Sequence, residues 1–137
     1  MLIDDFTSAA DGGSPRALDL FWWQGYSSNY YLTSVFSLKD FDCCERGSFI
    51  LVRREPDGAR TPLLAGAADC ISEDLYAVHG DAILRAIRGG ATEIHVNLTA
   101  DSRARTRSML NDLAAGWSIP LVGMPQAVST VSNRVPA

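Results

Sequence analysis

The chain of 137 residues is poor in lysine. Of its 12 basic side chains only Lys39 is a lysine, and 16 carboxylates leave a net charge of −4. A general nucleic-acid coat needs clustered cations to displace the counterions of phosphate, and this balance argues against one. Long apolar runs are missing too: none approaches the roughly 20 residues that span a bilayer. Met1 to Phe6 carries Asp4 and Asp5 where a secretory signal would be basic. No membrane association is expected, and a cytoplasmic location is. Cysteine is scarce, with three residues in all. Cys43 and Cys44 are adjacent, which suits neither a shared zinc ion nor a structural disulfide. Cys70 stands early in an expected helix, where N-terminal amides could lower a thiol pKa. A small buried hydrophobe is the simpler reading of it. Neither a metal site nor a resident cofactor is expected, nor an internal repeat or second domain.

What the chain does have is an apolar content of 47%, enough for one domain with its own core. Its organising stretch is Gly47 to Leu75. G-S-F-I-L-V-R-R (Gly47 to Arg54) reads as an apolar strand closed by two arginines. E-P-D-G (Glu55 to Gly58) is a turn in which Pro presets φ, Asp bonds its own backbone and Gly permits positive φ. T-P-L-L-A-G (Thr61 to Gly66) is the return strand. It runs into a helix whose Ile71, Leu75 and Val78 fall at i, i+4 and i+7.

Around this hairpin the chain reads in order. Residues 1 to 20, with A-A-D-G-G-S-P, are expected to be a flexible leader. Phe21, Trp22 and Trp23 form an aromatic cluster, either a lid on the core or a contact patch for a partner or twin subunit. Asn29 to Leu38 alternates Tyr30, Leu32, Ser34 and Phe36 against Tyr31, Thr33 and Val35, which is a strand. After His79-Gly80, Asp81 is the expected N-cap of a second helix with Ile83, Leu84 and Ile87 on its apolar side and Gly89-Gly90 at its end. Glu93 to Leu98 is a further strand, with Ile94, Val96 and Leu98 on one face and Glu93, His95 and Asn97 on the other. That polar trio has the look of a small site, but a half-exposed sheet face accounts for it more simply. Asp101 is expected to cap a third helix through Ala114, with Met109, Leu110, Leu113 and Trp117 at core spacing. Arg103 and Arg107 share one face of it. Residues 123 to 137 read as a loose tail.

Taken together, these pieces resemble the GIY-YIG nuclease domain, in its small bacterial stand-alone form, from Trp23 to Leu121 within a single domain of residues 21 to 122. G-S-F (Gly47 to Phe49) stands at the family's first signature and L-A-G (Leu64 to Gly66) at its second. The helix near Cys70, then His79, the strand A-T-E-I-H-V-N and the closing D-L…I-P-L of Asp112 to Leu121 follow in the family's order. The resemblance implies an α+β fold, a small mixed or antiparallel central sheet flanked by about three helices. It also implies metal-assisted phosphodiester hydrolysis by two tyrosines, an arginine on the phosphate and a glutamate holding a cation. The tyrosine positions hold Phe49 and Leu64, the arginine position Asp74, the glutamate position Leu110 and a family asparagine position Val122. A carboxylate in place of the phosphate clamp reverses an interaction of roughly 3 kcal/mol at about 5 Å and a dielectric of about 20.

The expectation is therefore a catalytically degenerate, non-enzymatic binding or regulatory module (a pseudoenzyme) that meets a protein partner or a second copy through Phe21, Trp22 and Trp23. Two alternatives stand beside it. One is a nuclease rearranged around Asp74, Glu73 and His79 with Mg or Mn. The other is a nucleic-acid binder that does not cleave, using Arg103, Arg107, Arg85 and Arg88. The binding candidates are Arg53, Arg85, Arg103, Arg107, His79 and His95.

Overall fold

The computed structural model describes residues 19–43, 45–77, 79–100 and 102–123. Strands β1 (Asp19–Gln24) and β2 (Tyr30–Ser37) form one hairpin, and β3 (Gly47–Arg54) and β4 (Arg60–Ala68) form a second. Helices α1 (Ile71–Ala77) and α2 (Gly80–Arg88) follow, then β5 (Glu93–Asn97), α3 (Arg103–Ala114) and the two-residue β6 (Leu121–Val122). The order across the sheet is β1-β2-β5-β3-β4-β6. All neighbours are antiparallel except β4 and β6, which run parallel. The described residues make an α+β fold, a six-stranded mixed sheet with three α-helices.

The second hairpin closes as its turn residues dictate. Gly58 N–H donates to the Glu55 carbonyl at 2.9 Å, Gly58 has φ +91°, and the Asp57 carboxylate accepts from Ala59 N–H at 2.9 Å. Farther down, Leu51 pairs with Leu64 but Val52 pairs with Pro62, so Leu63 is an extra residue in β4. Pro62 has no N–H to give the ladder, and an irregularity is where a strand proline is tolerated. The bulge has a consequence for chemistry. It absorbs the odd residue, so that Arg60 lies opposite Arg54 and on the same face of the sheet.

Strand alternation divides the core into two layers. Phe49, Leu51, Leu64, Ile94 and Val96 pack against Ile71 and Leu75 of α1 and Ile83 and Ala86 of α2. Ile50, Val52, Ala65 and Ala67 pack against Trp23 and against Met109, Leu110 and Leu113 of α3. The helices of the first layer sit over β3, β4 and β5. They leave the same face of β1 and β2 open, where Leu20, Trp22 and Tyr30 are 57%, 58% and 60% exposed.

Several expectations change. Asp19 and Leu20 belong to β1 rather than to a leader, and residues 1–18 lie outside the described residues. The cap of α2 is His79, with Asp81 in the first turn, and its buried side is Ile83 and Ala86 while Leu84 and Ile87 are largely exposed. Asp101 and Val78 lie outside the described residues, as does the tail beyond Gly123. Ser102 caps α3, its hydroxyl accepting from Arg105 N–H at 3.1 Å. Cys70 is half-buried and precedes α1.

Candidate functional site

The register of four strands assembles a polar ladder on the second face. Phe21 lies opposite Thr33, Val35 opposite His95, and His95 opposite Ile50, while Glu93 lies opposite Val52 one step along. All five residues of β5 are buried, because the strand has neighbours on both sides and side chains over both faces. The half-exposed face expected for Glu93, His95 and Asn97 is thus a buried one. Which face of a strand meets water depends on its place in the sheet, and alternation alone does not give that place.

Burying a carboxylate, an imidazole and their partners demands that each polar atom be satisfied, and here they are. The Trp23 indole Nε1–H donates to His95 Nδ1 at 2.9 Å, which fixes the ring proton on Nε2. His95 Nε2 then donates to Glu93 Oε1 at 2.9 Å. The Arg60 Nε–H donates to the same Oε1 at 3.0 Å, and the Arg54 Nη1–H donates to Oε2 at 2.8 Å. Above them Arg60 lies over the Phe21 ring at 4.7 Å, and Phe21 meets Trp23 edge to face at 4.9 Å. Burial, the largest influence, pushes the His95 pKa below its ordinary value, although Glu93 opposes this. For Glu93 burial is again the largest influence and acts upward, but hydrogen bonds from His95, Arg54 and Arg60 outweigh it and hold the carboxyl below its usual range. With both ring nitrogens occupied and no exposed surface, His95 has nothing left to offer a substrate. The ladder is a sealed structural element.

A second polar group ties the first hairpin to α3. Asp112 Oδ2 accepts from the Tyr31 hydroxyl at 2.7 Å and the Ser27 hydroxyl at 2.6 Å, and Oδ1 accepts from Ser27 N–H at 2.7 Å. Hydrogen bonds from Ser27 and Tyr31 lower the Asp112 pKa. Burial, and then Asp112, raises that of Tyr31.

The positions singled out by the GIY-YIG resemblance do not surround one cleft. G-S-F and the second signature do lie on paired strands, with Phe49 opposite Gly66. Phe49 and Leu64 are in the first core layer and Val122 packs against it, but Leu110 is in the second layer across the sheet. The Asp74 carboxylate reaches back to Asp69 N–H at 3.2 Å and Cys70 N–H at 3.4 Å, a capping role at the start of α1.

The remaining candidates are dispersed. Arg53 donates to Glu55 at 2.8 Å and to the Gly89 carbonyl at the end of α2 at 3.0 Å. Arg85 and Arg88 project from the last turn of α2 in the first layer, while Arg103 and Arg107 belong to α3 in the second. Arg103 lies 3.9 Å from Asp69. Among the described residues, no three of His, Cys, Asp and Glu stand close enough to share a metal ion, and no helix is long and apolar enough to cross a membrane.

Among the described residues, no helix covers the first face of β1 and β2. The three expected aromatics split by alternation: Trp23 is buried, Phe21 is half-buried, and Trp22 points outward. Trp22 lies opposite Leu32, Leu20 opposite Ser34 and Gln24 opposite Tyr30. Beside them a cleft of about 150 Å³ runs between β2 and β5, lined by Leu32, Phe36, Val96 and Leu98 among others. A run of adjacent aromatics does not by itself say which ring faces in. The Gly25–Asn29 turn signal would have, since it sets β1 against β2.

The chain matches no protein-family model, no curated protein and no solved structure, so its function has to be argued from this geometry.

Proposed function

We propose that this chain is a non-enzymatic binding module that docks a protein partner on the open face of β1 and β2. The observation that carries the reading is the exposure of Leu20, Trp22 and Tyr30 beside the part of the same sheet face that α1 and α2 cover. Apolar patches of this kind, built on rigid strands, mark protein contact sites, and a central Trp flanked by Tyr is a common composition for a binding hot spot. The positions where the GIY-YIG resemblance implies chemistry assemble no site that would argue the contrary, since Leu110 lies across the sheet from Phe49 and Leu64. Arg54 and Arg60 lend further support, since their guanidinium groups are committed to Glu93.

Labelled single- and double-stranded DNA and RNA, incubated with the pure protein and Mg²⁺ or Mn²⁺, are expected to stay intact. Cleavage that vanishes in an Asp74→Ala variant would refute the non-enzymatic reading.

A further inference from the structure

We infer that the second face carries a site for a small carboxylate, set between the end of β5 and the first two turns of α3. It lies across the sheet from the proposed docking face and is independent of that reading.

A cavity of about 250 Å³ opens there, lined by Tyr31, Asn97, Thr99, Arg105 and Ser108 among others. Asn97 carries the inference. It is only 6% exposed, and alternation with His95 sets its side chain on the second face. Its Oδ1 accepts from Thr99 N–H and from the Thr99 hydroxyl, both at 3.1 Å, and its Nδ2 donates to the Leu32 carbonyl at 2.9 Å. These partners fix which end of the amide is nitrogen. That nitrogen has a second proton, which meets no acceptor among the described residues. Folded chains avoid leaving a buried donor in this condition, yet this one borders a cavity with room for an acceptor. The Ser108 hydroxyl, also without a partner among the described residues, adds a second donor from α3.

Both donors call for an oxygen, and the surroundings favour a charged one. The cavity lies beside the positive end of α3, a helix of 12 residues. The first turn of α3 carries Arg103 and Arg105 and no acidic residue, the wrong sign for that end of a helix. An anion beside it offsets both. Arg105 has an interaction of its own, and no hydrogen bond to the ligand is assigned to it. Farther along α3, the Asp112 carboxylate accepts from the Tyr31 hydroxyl and repels an anion from that side. The ligand's carboxylate is therefore placed between Asn97 and Ser108. The Thr99 and Tyr31 oxygens are left to accept from a neighbouring hydroxyl or ammonium group. The volume falls just below the roughly 300–1,000 Å³ of sites for larger ligands, which limits the body to a few carbon atoms.

The test is a titration of the ¹⁵N-labelled full chain with sodium acetate and with sodium lactate, followed by two-dimensional NMR. Sodium chloride holds the ionic strength constant. Saturable shifts are expected at the Asn97 side-chain amide and at the Thr99 and Ser108 backbone amides, with a Kd on the order of 1 mM. Ser108→Ala, on the exposed side of α3, should keep the dispersed spectrum of the folded chain and weaken binding by roughly 10-fold. Asn97→Ala should weaken it at least as much; if that variant does not fold, Ser108→Ala decides alone. Shifts that grow linearly without saturating, or that Ser108→Ala leaves unchanged, overturn the site. Inorganic phosphate binding more tightly than either carboxylate overturns the assignment of its ligand.

Discussion

At the scale of single residues, Glu93 is the side chain with most to lose. It balances two guanidinium groups and accepts a hydrogen bond from His95 Nε2–H, so Glu93→Gln leaves Arg60, nearly buried, beside a neutral amide. The expected loss is about 2–3 kcal/mol by urea denaturation, below the fully buried range because Arg54 is half in solvent. The pH dependence has a definite sign. His95 binds its proton less readily folded than unfolded, so its contribution to stability is complete above its ordinary value of 6.5 and declines as the pH falls below it. The depressed carboxyls of Glu93 and Asp112 add a second decline, starting below ordinary values of 4.5 and 3.8. Urea titrations across pH should show both legs, and His95→Gln should remove the upper one. A single leg in the wild-type chain would contradict this account of His95. None of it was visible in E-I-H-V-N, because the same alternation serves an edge strand and a central one. The arginines on either side of the hairpin turn, Arg54 and Arg60, were the available hint that a buried carboxylate awaited them.

At the scale of elements, what the sequence revealed was whatever local chemistry decides. The second hairpin, β2, β5 and α3 were all readable from turn residues, alternation and helical spacing. β1 and β6 were not. β6 is two residues long and exists because Pro120 and its neighbours come to lie along β4, where the Pro120 carbonyl accepts from Ala65 N–H at 3.2 Å. Gly66 makes that approach possible: a Cβ there would run into the Val122 carbonyl and stand 3.0 Å from the Phe49 ring. Gly66→Ala should therefore cost about 1–3 kcal/mol and speed hydrogen exchange at the Ala65 amide. Gly58→Ala meets no neighbour within 4 Å and suffers only from its φ of +91°. It should cost about 1 kcal/mol and leave that amide untouched. Equal exchange rates in the two variants would mean that Gly66 is not what holds β6 in place. The family-like positions show the same limit of local reading. Spacing along the chain is compatible with one cleft for Phe49, Leu64 and Leu110, but strand parity and the side taken by α3 put them in different layers.

At the scale of the whole molecule, the sheet is two local hairpins held apart and joined by one late strand. β5 pairs with β2 at Ser34 and Val96 and with β3 at Ser48 and Asn97, contacts that span many residues, and without it the hairpins share no ladder. Closing those distant contacts should dominate the folding barrier. Ile94→Val and Val96→Ala are expected to slow folding by most of the stability they remove. Stopped-flow chevrons decide it, and unchanged folding rates in both β5 variants would place the barrier elsewhere. The same arrangement bears on synthesis. A nascent chain emerging from the ribosome carries two ready-made hairpins with raw inner margins well before residues 93–97 arrive to fill the gap. Over that interval it is most open to capture by a chaperone or by another unfinished copy.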